Sequence, residues 1–297
     1  MKQNRYALFA ALVLGSFSSF SHGAFYATNF EPPAFTLGNL DGQSGWTVNA
    51  TSVEGGIGVV APVITPLTPF GTRSASLGFT PSLVLDSGAT DVYASYRYGG
   101  SDSTPLLSST VGTPATSFSA IFQIYDSDSG YGTGAEVRDN FGFRLQNAAG
   151  YNLFSIVFTP FRQAIDAVPP TTPENEVAYN QVSWSTGTGL PQLVAGGYSA
   201  QEGQSYTFGV TFAPSVTPGN VAFSANISGV NFFSGDLVGL ASEEIKELGA
   251  FWKPTSSLSD PGSNSMVFDN INVVPEPSSA LLGLLGASFA FLRRRRN

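Results

Sequence analysis

Nearly every side chain here that could do chemistry is an oxygen donor. Cysteine is absent and histidine occurs once, as His22. Thiolate nucleophiles, disulfides and Cys-ligated metals are therefore excluded. His22 closes an apolar N-terminal segment, so the body also lacks a Ser-His-Asp triad, a histidine-ligated zinc and an imidazole general base. Carboxylates remain, with close pairs at Asp126/Asp128, Glu174/Glu176 and Glu243/Glu244. Two chemistries are open to them. Glycoside hydrolysis needs two carboxyl groups roughly 5–5.5 or 6.5–9.5 Å apart in a cleft. Calcium takes oxygen ligands alone. Glu174/Glu176 follow a proline-rich stretch and read as solvated. Glu243/Glu244 read as the first turn of a short helix over residues 242–248, where the dipole favours anions. Catalysis is thus the weaker expectation and calcium the stronger.

Two places suit calcium. Asp126-Ser127-Asp128-Ser129-Gly130 resembles half of a calcium loop. It departs from the EF-hand pattern, since Tyr131 replaces the required glycine and Val137 the final Glu, and a polar hairpin turn is the plainer reading. The second set is Glu31, Asp41 and Asp269, which would meet if the first and last strands pair. Strict alternation puts Asp269 on the face of Val267 and Ile271, so its carboxylate needs a partner, a bulge or a metal. Sugar binding would use aromatic faces, and Trp46, Tyr96, Tyr98 and Trp184 are the candidates, with Trp252 beside them. Core packing competes for each.

The elements that must position these groups are strands. Phe118, Ala120, Phe122 and Ile124 alternate, as do Phe141, Phe143 and Leu145. Asn147-Ala148-Ala149-Gly150 reads as a hairpin loop into a strand with Phe154, Ile156 and Phe158 inward. Tyr206, Phe208, Val210 and Phe212 repeat the pattern, then Val221, Phe223, Ala225 and Ile227, and a last strand runs near 265–274. The chain of 297 residues carries 24 Phe and only 11% charged residues, enough for a packed core. The fold class expected is all-β, an antiparallel β-sandwich or jelly roll.

Charge is unevenly spread. Lys2, Arg5 and Arg293 to Arg296 lie in the tails. Between Ala24 and Val274, seven basic minus twenty acidic residues gives −13. Such a body repels nucleic acid. At the start, basic Lys2 and Arg5, the apolar run 7–15 and small residues up to Ala24 read as a secretory signal peptide, placing the boundary at 1–24. At the end, Pro275-Glu276-Pro277 is stiff and non-helical. Residues 278–292 are uncharged and mostly apolar. As a helix they would span about 22 Å, short of the ~30 Å hydrocarbon core. Arg293, Arg294, Arg295 and Arg296 act as a stop on the cytoplasmic side.

That ending, residues 274–297, resembles the PEP-CTERM sorting signal of Gram-negative bacteria, a tail also known under an ice-binding-protein C-terminal name that says nothing about ice. The resemblance implies export through the secretory translocon, cleavage by signal peptidase, and recognition of Pro275-Glu276-Pro277 and the arginine cluster by exosortase, a membrane protease that removes the tail. It also implies an exopolysaccharide-producing host. The body, residues 25–273, is similar at two short stretches to concanavalin-like jelly rolls of exported proteins: Asn29-Phe30-Glu31 through Gly45-Trp46, and Phe268-Asp269-Asn270-Ile271-Asn272-Val273. This similarity implies pairing of first and last strands. The Glu-x-Asp-x-x-Glu strand of concanavalin-like glycosidases does not occur. The reading is an exported, non-enzymatic surface or matrix protein with a signal helix, a sandwich, a short apolar tail helix and a structural Ca2+, taking exopolysaccharide as a partner and no nucleic acid. A secreted carbohydrate-active enzyme is the alternative.

Overall fold

The computed structural model describes residues 26–51, 57–60, 70–78, 84–85, 91–99, 103–105, 116–125, 139–164, 176–187, 192–193, 199–201, 203–228, 230–253 and 265–275. Asp126, Asp128, Glu174, Glu276, Pro277, Arg293 to Arg296 and the segments expected as terminal helices lie outside them. Among the described residues no helix is long and apolar enough to cross a membrane.

Two antiparallel sheets face each other. The nine-stranded sheet runs Val230–Leu237, Val221–Ile227, Ser205–Pro214, Thr116–Tyr125, Ser265–Pro275, Ser74–Gly78, Ile57–Val60, Gly38–Asn39, and Tyr26–Thr28 also pairs with Ser265–Pro275. The eight-stranded sheet runs Gln192–Leu193, Glu176–Ser185, Asn152–Ala164, Asn140–Gln146, Glu247–Lys253, Val92–Arg97, Trp46–Val48, with Ser199–Gln201 beside Glu176–Ser185. The chain crosses between sheets from Val92–Arg97 to Thr116–Tyr125 and back to Asn140–Gln146, so sequence neighbours lie in different layers. This is the antiparallel jelly-roll sandwich that the alternation predicts.

The alternating aromatics form the core. Phe118, Phe122, Phe143, Phe154, Ile156, Phe208 and Phe223 are all buried. Phe122 stacks on Phe158 across the layers with centroids 4.4 Å apart, and Phe154 meets Phe212 edge-on at 5.7 Å. Full burial of each such ring is worth about 1.5–3 kcal/mol. The hairpin closes at Asn147–Gly150, where the Asn147 N–H donates to Tyr151 O and Gly150 takes φ +76°.

Two expectations need correction. Residues 242–248 form no helix; they form the short strand Glu244–Ile245 and enter Glu247–Lys253. The sequence has helical propensity, but Leu248, Ala250 and Trp252 alternate into the core, and pairing with Asn140–Gln146 and Val92–Arg97 on both sides prevails. Asp269 does not share an inward face with Val267 and Ile271. Met266 and Phe268 point inward before it and Ile271 and Val273 after it, so parity changes across a bulge opposite Ser119/Ile121. Asn270 sits there at φ +49°.

Candidate functional site

The bulge delivers Asp269 to a closed position beside Glu31. Phe30, itself at φ +52°, is buried against Phe35, Trp46 and Phe268 at 5.0, 5.2 and 5.5 Å. With Phe30 plugged into the core, Glu31 turns toward the segment 71–73. One Glu31 oxygen accepts the Arg73 N–H at 3.0 Å and the other the Thr72 hydroxyl. Gly71 makes room, since a Cβ there would lie 2.0 Å from Glu31 Oε1. Asp269 is fully buried and accepts the Asn270 N–H at 2.7 Å and the Gly71 N–H at 3.3 Å. Burial pushes its carboxyl up to about 7, the Glu31 charge adds to this, and the two backbone N–H groups oppose it. Burial also raises Glu31, but the Thr72 hydroxyl, the backbone N–H groups of Arg73 and Thr72 and the Arg73 charge outweigh it, leaving it below its ordinary value.

Asp41 does not join them. It is exposed, and its Oδ1 accepts the Val48 N–H at 3.0 Å, closing the turn that also bonds Gly42 N to Trp46 O at 2.9 Å. Among the described residues no three His, Cys, Asp or Glu side chains converge. The Glu31 and Asp269 carboxylates supply oxygen alone, but each of their oxygens already accepts an N–H or O–H donor, so calcium there would have to displace or share these bonds and be completed by carbonyls or water.

The aromatic candidates lie inside. Trp46 is fully buried and donates Nε1–H to Tyr26 Oη at 2.7 Å; Tyr98 is 4% exposed. Tyr96 is half-buried under Tyr26, centroids 3.9 Å apart. Trp184 packs on Phe223 and Phe233 at 4.8 and 6.3 Å. Trp252 donates to Asp139 Oδ2 at 2.8 Å. Trp46, Tyr98 and Trp252 are thus core side chains, and Tyr96 and Trp184 are partly buried against neighbouring rings.

The polar groups gather instead on the outer face of the eight-stranded sheet. Arg144 bonds Asp91 at 2.5 Å and lies 4.6 and 5.2 Å from the rings of Phe251 and Tyr93. Glu247 accepts from Ser95 at 2.7 Å and from Arg97 at 3.1 Å, and Arg97 is half exposed. Register sets this grouping, since Glu247 lies opposite Arg97 and Phe251 opposite Tyr93. Gly142 lets the Phe251 ring pack against the strand: a Cβ there would be 2.8 Å from that ring and 2.0 Å from Ile156 O. Guanidinium and carboxylate edges of this kind match the hydroxyl and carboxylate groups of sugars.

Glu243 and Glu244 line an open cavity of about 460 Å³ with Ser103, Asn147 and Lys246. Glu243 accepts from Asn147 at 2.7 Å, and Glu244 from the Ser103 hydroxyl. The 71–73 cradle and Arg144 carry no local sequence signal, because their contacts join residues as far as 198 apart.

No family model matches the chain, and no curated protein matches it. Solved structures similar to it include the alginate lyase Aly36B, at 9% identity and TM-score 0.44 over 86% of this chain and 98% of that one. A GH131 beta-glucanase catalytic domain from Podospora anserina matches at 9% and 0.41, over 77% and 83%. Basic winged bean lectin with Tn-antigen matches at 9% and 0.38, over 84% and 97%. At such identities none of them speaks to what this chain binds or does.

Proposed function

We propose that this chain is an exported, non-enzymatic cell-surface or exopolysaccharide-matrix protein of a Gram-negative bacterium, sorted by its Pro275–Arg296 tail and binding carbohydrate through the outer face of the eight-stranded sheet. One observation carries the sorting reading: Tyr26 pairs with Val273, so both terminal segments leave the sandwich side by side. That arrangement suits a signal peptide and a membrane-entering tail, which would both be held at one end of a body lying on one side of the membrane. Translocon, signal peptidase and an exosortase-type protease are the partners in sequence.

Binding rather than catalysis is supported by how the acids are used. Asp91, Glu243, Glu244 and Glu247 each hold a neighbouring donor. A sugar would meet Arg97, Glu247 and Arg144 along their polar edges, since the Phe251 and Tyr93 rings are nearly closed off. Calcium at Glu31 and Asp269 would tie the first and last strands to the 71–73 segment and perform no chemistry. The alternative, a carbohydrate-active enzyme, is favoured by the Glu243/Glu244 cavity; Glu243→Gln and Glu244→Gln would then abolish polysaccharide cleavage. Fractionating cells that express the chain with and without residues 276–297 tests the main reading. The full chain should reach the surface or matrix and the truncated one should stay soluble. Identical distributions would remove the sorting role.

A further inference from the structure

The strand register also fixes the end of the sandwich from which the tail departs, and that end carries exposed apolar residues. Pro275 pairs with Thr116, and Thr116 with Phe212. Ser205–Pro214 continues past that level into the turn 215–220, and Val221 pairs with Leu237, which leads into the turn at Val238. Tyr26, opposite Val273, sends the N-terminal segment out at the same end. Val216 is 101% and Val238 78% exposed, the two most exposed large hydrophobic residues among those described.

These valines are held by fixed backbone. Gly239 N donates to Asn220 Oδ1 at 3.1 Å and Ala241 N to Gly219 O at 3.2 Å, locking the two turns together. Gly219 and Gly239 take φ +84° and +75°, which a larger side chain would resist. Residues 215–220 and 237–242 carry no charge, and the neighbouring Asp236 carboxylate accepts the Ser215 hydroxyl at 2.7 Å. Isolated exposed valines are ordinary on protein surfaces. Their position relative to the tail is what gives them meaning. The apolar tail segment starts at Ser278, three residues after Pro275, and extended chain of that length reaches at most roughly 11 Å. Val216 lies in the turn two residues past Pro214, where that strand ends, and so at most about 13 Å beyond the level of Phe212. The two reaches are similar, so a tail that enters a bilayer brings the turn at Val216 within range of the bilayer surface.

We propose that the paired turns carrying Val216 and Val238 are a membrane-docking surface, seated in the interface of the same bilayer that holds the tail before its removal. This rests on the sorting reading. The tail supplies the attachment and the valines set the orientation of the sandwich, so weak individual contacts suffice once they are intramolecular.

The absence of cysteine makes the test direct. Single variants Val216→Cys, Val238→Cys and Gln204→Cys, the last in the turn at the opposite end of the same sheet, are made in the full chain. Each is labelled with an environment-sensitive fluorophore and reconstituted into phosphatidylethanolamine–phosphatidylglycerol vesicles. Spin-labelled lipid should quench the probes at 216 and 238 several-fold more than the probe at 204. Equal quenching at all three positions, in chains that float with the vesicles, overturns the docking surface and leaves the sorting reading standing. Failure of the chain to float with vesicles overturns both.

Discussion

Replacing Asp269 by Asn should remove a pH dependence of stability that the wild-type chain shows between about pH 4 and pH 7. The folded protein holds this carboxyl near 7, against an ordinary value of 3.8, chiefly because burial opposes its charge. In that window the folded state keeps a proton that the unfolded state has released. Stability therefore falls as pH rises, and the stabilisation is fully present only below the unfolded value. A shift of about three units at about 1.4 kcal/mol each gives roughly 4 kcal/mol at most. For a domain of this size that is on the order of 10 °C in melting temperature. Glu31 acts oppositely, since its folded value is lowered, but its contribution is lost only as pH falls below the ordinary carboxylate range.

The assay is a thermal melt at pH 5.5 and pH 8 with a chelator, for wild type and Asp269→Asn, a range that samples about half of that effect, roughly 2 kcal/mol. Wild type should melt lower at pH 8, and the difference should shrink sharply in the variant. Saturating calcium should raise the pH 8 midpoint of wild type, because a ligand of the charged, folded form stabilises it by mass action. It should do little for the variant. Equal pH dependence in both proteins would refute the burial argument, and identical midpoints with calcium and with chelator would remove the cation.

Phe208→Ala should cost about 3–5 kcal/mol by urea denaturation, since the ring lies 6.1 and 6.2 Å from Phe118 and Phe143 in the sealed core; a cost under about 1 kcal/mol would contradict the two-layer packing. Gly142→Ala should destabilise comparably or prevent folding despite adding one methyl, because the new Cβ meets Ile156 O at 2.0 Å; a wild-type melting curve would mean that the sheet spacing is wrong. Arg97→Ala should lower retention on the host's exopolysaccharide without changing the melt, since Arg97 is half exposed; unchanged retention would move any sugar site off this face.

Much of the architecture was legible because alternation writes burial directly into a strand. Phe118, Phe122, Phe143, Phe154 and Phe208 could be placed by parity alone. Asp269 was half legible. Its place in an apolar strand signalled a bulge or a partner, but the bulge reversed the parity assumed for Val267. The Gly71–Arg73 cradle lies in a distant segment and could not be inferred from local spacing. Residues 242–248 misled because Glu, Lys and Leu favour helix locally, while two neighbouring strands decided the outcome. Among the aromatics, sequence supplied ring type but not exposure, and Trp46 and Tyr98 proved to be core.

Sorting through a tail that a protease removes, as proposed above, leaves its mark on the mature C-terminus. The body ends in sheet at Pro275, the first residue of the motif, so cleavage near Glu276 would release a complete sandwich. The decisive measurement is the intact mass of the protein recovered from the cell surface or matrix. A mass matching a C-terminus at or near residues 275–277 is expected. A chain still ending at Asn297 would make the tail an ordinary anchor and contradict the account.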